Sequence, residues 1–255
     1  MPLLHPARTL KSGDVRVAGG VSAQVVPGSL GGDLRRARDI AARDVAGTSS
    51  PGAPGSNPDY AKGALVAAAV APGLAPMLGA RVGIGSGFEG GLGYTGRAVR
   101  VDMRRAFDFG EEYSLSVGLG ASGALYGRQQ GADLPNVNLG ALHGYGADIP
   151  VLFGWQSLND LYSLWIGPRG GIEYVTVEKL TSEPKDVPLG TPPIRLEATR
   201  WYAGGVIGFA TGFNHVHVAL EAGLAYQSVS GSYNANAVTV RGLTITPASA
   251  IWWTF

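Results

Sequence analysis

The residues best equipped for chemistry stand in the alternating run 215 to 227, where His215, His217 and Glu221 fall on one face. Two histidines two positions apart can ligate a metal, but a working centre needs a third or fourth ligand with supporting hydrogen bonds. Only His5 and His143 remain as further imidazoles, and there is no cysteine. That composition removes thiolate metal sites, disulfides and a cysteine nucleophile together. Glycine runs such as Gly83-Ile84-Gly85-Ser86-Gly87 and Gly118-Leu119-Gly120 precede no helix that would offer its N-terminus to a phosphate. No serine sits in a Gly-x-Ser-x-Gly elbow. The expectation is no catalytic residue, no metal and no cofactor, with the histidines hydrogen-bonding backbone or headgroups near a turn.

A larger set of charges lies opposite apolar neighbours: Arg16, Arg81, Glu89, Arg100, Asp102, Arg104, Asp148, Arg169, Glu173, Arg200 and Glu221, accompanied by Gln24 and Gln227. Charges enclosed in a low-dielectric interior must pair or stay wet. Mutual ion pairing is therefore the default expectation, and because arginines outnumber acids, a path lined by them would favour anions.

The elements that carry these residues follow from composition and period. The 255 residues include 40 glycines, and 15% are charged, an unusual balance that suits tightly coiled strands around a narrow interior. A net charge of +1 provides no field for nucleic acid. From about residue 76 onward apolar and polar residues alternate, which places them on opposite faces of strands. Tyr162, Leu164, Ile166, Ile172 and Tyr174 oppose Ser163, Trp165, Gly167, Arg169, Gly171 and Glu173; Val216 to Tyr226 repeats the pattern. Similar runs at 13 to 25, 76 to 86, 88 to 95, 97 to 107, 113 to 126, 145 to 155, 196 to 211 and 238 to 255 bring the expected count to ten, with eight the alternative if 88 to 107 is one strand.

Connections alternate between long (26 to 75, 127 to 144, 179 to 195) and tight (85 to 87, 109 to 111, 157 to 160, 212 to 214), with 95 to 96 short and 229 to 237 of medium length. Tight turns on one side and long loops on the other, with apolar side chains outward and polar ones inward, is the order of a transmembrane antiparallel up-and-down β-barrel. The first loop, 27 to 75, departs from it. Leu34, Ala37, Ile40, Ala41 and Val45 recur at helical spacing and Asp33 can cap their start, so a short amphipathic helix is expected near 31 to 46. It would plug the lumen, lie on the membrane or cover the rim. Residues 47 to 59 are flexible by composition. The apolar stretch Ala64 to Ala80 approaches the roughly 18 residues of a membrane helix, but Pro72, Gly73 and Pro76 would break one. The N-terminus shows no basic segment followed by an apolar run, so Met1 is expected to replace a removed export signal.

The chain ends Ala250-Ile251-Trp252-Trp253-Thr254-Phe255, with Ile251, Trp253 and Phe255 on one face. This resembles the C-terminal assembly signal of outer-membrane barrels and implies recognition of the last strand by the barrel-assembly machinery. Gly79-Ala80-Arg81-Val82-Gly83, Gly90-Gly91-Leu92-Gly93 and Val99-Arg100-Val101-Asp102 look like poorly characterised small outer-membrane barrels of Gram-negative bacteria, a likeness that carries no activity. Omptin-type outer-membrane proteases are also ten-stranded and end in an aromatic, but their carboxylates and histidine lie at the outward end. Here His215 and His217 flank a turn assigned to the periplasm, and no outward aspartate pair is present.

One domain, 1 to 255, is thus expected to span the bacterial outer membrane. Tyr113, Tyr145, Trp155, Tyr162, Tyr174, Trp201, Tyr226, Trp253 and Phe255 would form its interfacial girdles. Such girdles argue against a soluble lipid carrier, whose apolar face would point inward. The leading functional expectation is passage or binding of a small solute through a narrow charge-lined lumen. The alternative is a closed barrel that anchors contacts made by its long outward loops.

Overall fold

Alternation with period two gives each strand one apolar and one small or polar face, and ten such strands can hide their edges only by closing on themselves. The computed structural model describes residues 2–45, 57–125, 134, 139–179, 194–213, 215–234 and 236–255. Its strands are β1 (Val15–Gln24), β2 (Gly73–Gly85), β3 (Phe88–Tyr94), β4 (Ala98–Phe109), β5 (Tyr113–Ala124), β6 (Leu142–Gln156), β7 (Tyr162–Lys179), β8 (Ile194–Phe213), β9 (Val216–Tyr233) and β10 (Asn236–Thr254). All neighbours pair antiparallel, and β1 meets β10 to close the barrel, with Val17 opposite Trp253 and Gly19 opposite Ile251.

Ten rather than eight strands result because the chain reverses at Thr95-Gly96-Arg97. Gly96 adopts a φ of +66°, and the Thr95 amide donates to the Ala98 carbonyl at 3.1 Å. The connection expected at 229 to 237 is shorter than the sequence suggested, since β9 runs to Tyr233 and β10 starts at Asn236. Strands β7 to β10 have 18 to 20 residues, about twice the 9–11 that a bilayer requires. They stand as a tall wall above the shorter β1 to β5. The expected loops 127 to 144 and 179 to 195 lie largely outside the described residues, as does the stretch 47 to 59 as far as residue 56.

Two helices fill the long-loop mouth. Helix α1 (Gly28–Val45) follows the amphipathic spacing of its sequence and buries Leu30, Leu34, Ala37 and Ala41. Helix α2 (Pro58–Leu65) starts on an Asn57 cap whose Oδ1 accepts from the Asp59 amide at 2.9 Å, with proline at the first position, where no amide is needed. It continues as a π-helical turn, Val66–Val70, and ends at Ala71 in the left-handed region. The stretch Ala64 to Ala80 is therefore divided: its first half finishes a helix and its second half opens β2. No described helix is long and apolar enough to cross a membrane.

Candidate functional site

The described strands enclose one interior, and three layers occupy it. The outermost is apolar. Tyr60, Leu65, Val66 and the alanines of α2 and its π turn pack against inward-facing Val175, Val177, Leu196, Ala198, Val229, Tyr233 and Val240. Helix α1 covers them from the side of β10, where Leu30 lies over Gly242 and the Ser29 hydroxyl donates to the Arg241 carbonyl. Of the three placements expected for α1, it takes one inside the mouth.

The middle layer is a chain of alternating charges. Glu89, fully buried, joins Arg81 to Arg104, whose Nε lies 3.0 Å from Glu89 Oε1. Arg81 also holds Asp102, Asp102 holds Arg100, and Asp148 lies between Arg100 Nε at 3.0 Å and Arg169 Nε at 2.8 Å. Arg200 pairs separately with Glu173 at 2.7 Å. These residues come from β2, β3, β4, β6, β7 and β8, so the ladder ties nearby strands together along the inner wall.

Two of the expected lumen charges stand outside this ladder. Arg16 meets no carboxylate among the described residues; its guanidinium lies over the Trp252 ring, 4.8 Å from the centroid, and its Nε reaches the Thr254 hydroxyl. A cation over an indole face is electrostatically favourable without a counter-charge. Glu221 meets no arginine either, because the N-terminal segment takes up its oxygens.

That segment forms the innermost layer. Residues 2 to 14 run back inside the barrel from the start of β1, and the backbone is held by charged side chains. Glu221 accepts the Leu3 amide at 2.7 Å, the Leu4 amide at 2.8 Å and the Trp165 indole at 3.1 Å. Glu89 accepts the Leu10 amide at 2.8 Å, and Arg104 donates to the carbonyls of Pro6 and Arg8. Leu3, Leu4 and Ala7 pack against Leu152, Trp165, Val206, Ala210, Ala219 and Trp252. Two glycines permit this. A Cβ on Gly83 would lie 1.9 Å from the Lys11 carbonyl oxygen, and one on Gly208 would lie 2.0 Å from the Trp165 ring. Nothing in the first fourteen residues has a helical or strand period, so the sequence concealed this layer.

The histidine pair contributes no centre. His215 stacks on Trp253, whereas His217 stacks on Trp252 and contacts the Asp160 carbonyl at 3.0 Å. Among the described residues no group of three or more metal-ligating side chains comes together.

Between the middle and outer layers lies a cavity of about 80 Å³, bordered by Pro2 below, the π turn above, and Arg97, Arg100, Arg169 and Arg200 at the sides. Sequence reasoning passed over Arg97 because the expected strand 97 to 107 gives it the outward face of Val99 and Val101, whereas it lies in the β3–β4 turn.

The outer wall has the opposite chemistry. Val17, Leu78, Leu92, Val101, Leu119, Ile149, Ile166, Ile207, Leu220, Leu243 and Ile251 all point outward and exposed. That excludes the inward-apolar carrier. Tyr113, Trp155, Tyr162, Trp253 and Phe255 lie toward the tight-turn mouth, and Tyr145, Tyr174, Trp201 and Tyr226 form a second level, with rings in contact between Tyr145 and Tyr174 and between Trp201 and Tyr226. From Tyr162 to Tyr174 along β7, at about 3.3 Å per residue and a tilt of roughly 40°, the rise is about 30 Å. A closed barrel with this belt is a transmembrane β-barrel of the bacterial outer membrane, in contact with the lipid bilayer.

No family model and no curated protein matches the sequence. Among solved structures the chain is similar to Neisserial surface protein A, at 10% identity and a TM-score of 0.37 over 95% of this chain and 96% of that one. It is similar to Ail, the attachment invasion locus protein of Yersinia pestis, at 7% identity and a TM-score of 0.27 over 96% and 99%. A third is the translocator domain of the autotransporter NalP from Neisseria meningitidis, at 10% identity and a TM-score of 0.30 over 96% and 90%.

Proposed function

We propose that this protein is a closed, non-conducting outer-membrane barrel, non-enzymatic, which serves as a membrane-embedded scaffold and makes its contacts through the long-loop end. The observation that carries this reading is the grip of Glu89, Arg104 and Glu221 on the backbone of residues 3 to 10. That grip occupies the lumen below the ion-pair ladder, while α1 and α2 occupy it above. In this reading the two aromatic levels seat the barrel in the headgroup regions. The tight turns face the periplasm, and β10 with Phe255 is the strand offered to the assembly machinery. The exposed arginines Arg35, Arg36 and Arg43 of α1 lie on the surface available for contacts.

The test is single-channel conductance of refolded protein in planar bilayers, with insertion verified separately. The full chain is expected to be silent, as are the deletions of residues 2 to 10 and of residues 30 to 70 taken singly, because each leaves one layer closed. The double deletion is expected to conduct, with anion preference. Steady conductance of the full chain would replace this reading with the solute-passing one, which the polar cavity between the two closures favours.

A further inference from the structure

We infer that the cavity between the ion-pair ladder and the π turn is a binding site for one small oxyanion, such as phosphate, sulfate or a compact carboxylate. The inference goes beyond the scaffold reading and does not depend on whether the barrel conducts.

The charge ladder supplies the first argument. Read along its contacts it runs Arg104, Glu89, Arg81, Asp102, Arg100, Asp148, Arg169. Counted over its seven residues the ladder holds four positive and three negative charges, while Glu221, whose charge also acts on Arg169, is engaged by the Leu3 and Leu4 amides. At its lower end, Arg104 is compensated by the carbonyls of the N-terminal segment. Its upper end, Arg169, borders the cavity.

Arg97 adds a second surplus charge. It borders the same cavity, meets no carboxylate within 4 Å among the described residues, and donates to the Ala68 carbonyl. Burial pushes its guanidinium down to about 10, the direction expected of a cation enclosed without a full counter-charge. Arg200 also borders the cavity. It is balanced by Glu173 and bound to the Ala69 carbonyl at 2.9 Å, yet its Nε–H is buried without an acceptor. The C-terminal carbonyls of the helix offset roughly half a charge. Four guanidiniums therefore converge with Asp148 and Glu173 as the two bordering carboxylates. An oxyanion would supply the missing charge and the acceptor for Arg200 Nε, in the planar forked geometry that arginine matches best.

The space agrees. A volume of about 80 Å³ exceeds several times the roughly 10–15 Å³ that holds one water, which suits a compact anion. Tyr202 lies between Arg169 and Arg200, with ring centroid distances of 5.8 and 5.2 Å to the two guanidiniums, and holds both on the cavity wall.

The experiment is isothermal titration of inorganic phosphate into the full-length barrel, refolded in an uncharged detergent at low salt. One phosphate per chain is expected to bind saturably, with Arg97→Gln weakening it at least tenfold and Arg195→Gln, an exposed pair with Glu197, leaving it unchanged. Should Arg97→Gln fail to refold, Arg200→Lys keeps the charge but loses the fork, and is expected to weaken binding about tenfold with the barrel's circular dichroism unaltered. Absence of saturable binding, or equal affinity in the wild type and whichever of these cavity variants refolds, would overturn the site.

Discussion

The two ends of the lumen are closed by different means, and the difference follows from backbone hydrogen bonding. The outer closure is helical. A helix satisfies its own amides and carbonyls, so the strands facing it can present Val175, Val177, Leu196, Ala198, Val229 and Val240 and need little else. Only at the end of the π turn, where carbonyls run out of partners, do Arg97 and Arg200 appear, bound to Ala68 and Ala69. The inner closure is an irregular segment, bent at His5, Ala7 and Arg8 and with Leu4 at a φ of +49°, whose amides and carbonyls are bare. Its walls must answer with charges, and they do so with Glu221, Glu89 and Arg104. The conformation of each plug thus dictates whether its wall is apolar or ionic.

If that holds, breaking the ion pairs behind the inner closure should cost more than trimming the outer wall. Glu89→Gln leaves Arg81 and Arg104 short of a carboxylate at a fully buried position, and leaves one acceptor oxygen to serve both arginines and the Leu10 amide. We expect a loss of about 3–5 kcal/mol, read as a lower urea midpoint for unfolding in detergent; a loss below about 1 kcal/mol would break the comparison at its strongest point. Next, Leu65→Ala removes a fully buried side chain from the outer closure. The expected loss is about 2–3 kcal/mol, concentrated in faster hydrogen exchange of α2 while the strands stay protected. Exchange rising throughout the barrel would mean that the outer helices are part of its core and not a separate closure.

A smaller effect isolates the grip on the peptide. Glu221→Gln keeps the shape and one acceptor oxygen but removes the charge that the Leu3 and Leu4 amides share. It should cost about 1.5–3 kcal/mol locally, seen as protease cleavage after residue 10 at rates well above wild type. Cleavage unchanged from wild type would show that Leu3, Leu4 and Ala7 hold the segment by packing alone.

The barrel was readable because its signals are local. Alternation places Leu164 outward and Trp165 inward whatever the neighbours are, and the runs with tight turns and long loops alternating between them point to ten strands, with eight left open until the turn at Thr95-Gly96-Arg97 decides. The helix 28 to 45 was readable for the same reason, at a different period. The second helix was not. Residues 58 to 70 are buried on nearly every side, so no polar face marks a period, and Pro72 and Gly73 read as a break where they are an exit. The N-terminal segment was illegible for a deeper reason: what holds it is its backbone, and backbone groups are the same in every residue. The charges that grip it were visible as candidates, but Glu221 was expected to pair with an arginine because sequence cannot reveal that its partners are two amides more than 200 positions away. Arg16 departed likewise, since the Trp252 face substitutes for a carboxylate.

The finest test of the comparison concerns the one place where the outer closure uses a directed contact between aromatics. Tyr60 on α2 meets Tyr233 at the top of β9 edge to face, with centroids 5.6 Å apart and planes at 64°. Both rings are buried, and burial pushes the Tyr233 phenol above its ordinary value. If the outer closure is held by apolar area rather than by specific pairing, replacing either tyrosine by leucine should cost mostly its own packing. The coupling in a Tyr60→Leu, Tyr233→Leu double-mutant cycle should then stay near the 0.5–1.5 kcal/mol typical of aromatic pairs, about 1 kcal/mol. A coupling above about 3 kcal/mol, of the size expected for a buried charge pair, would show that this mouth too depends on a directed lock, and that helix and irregular segment differ less in how they are held than in what holds them.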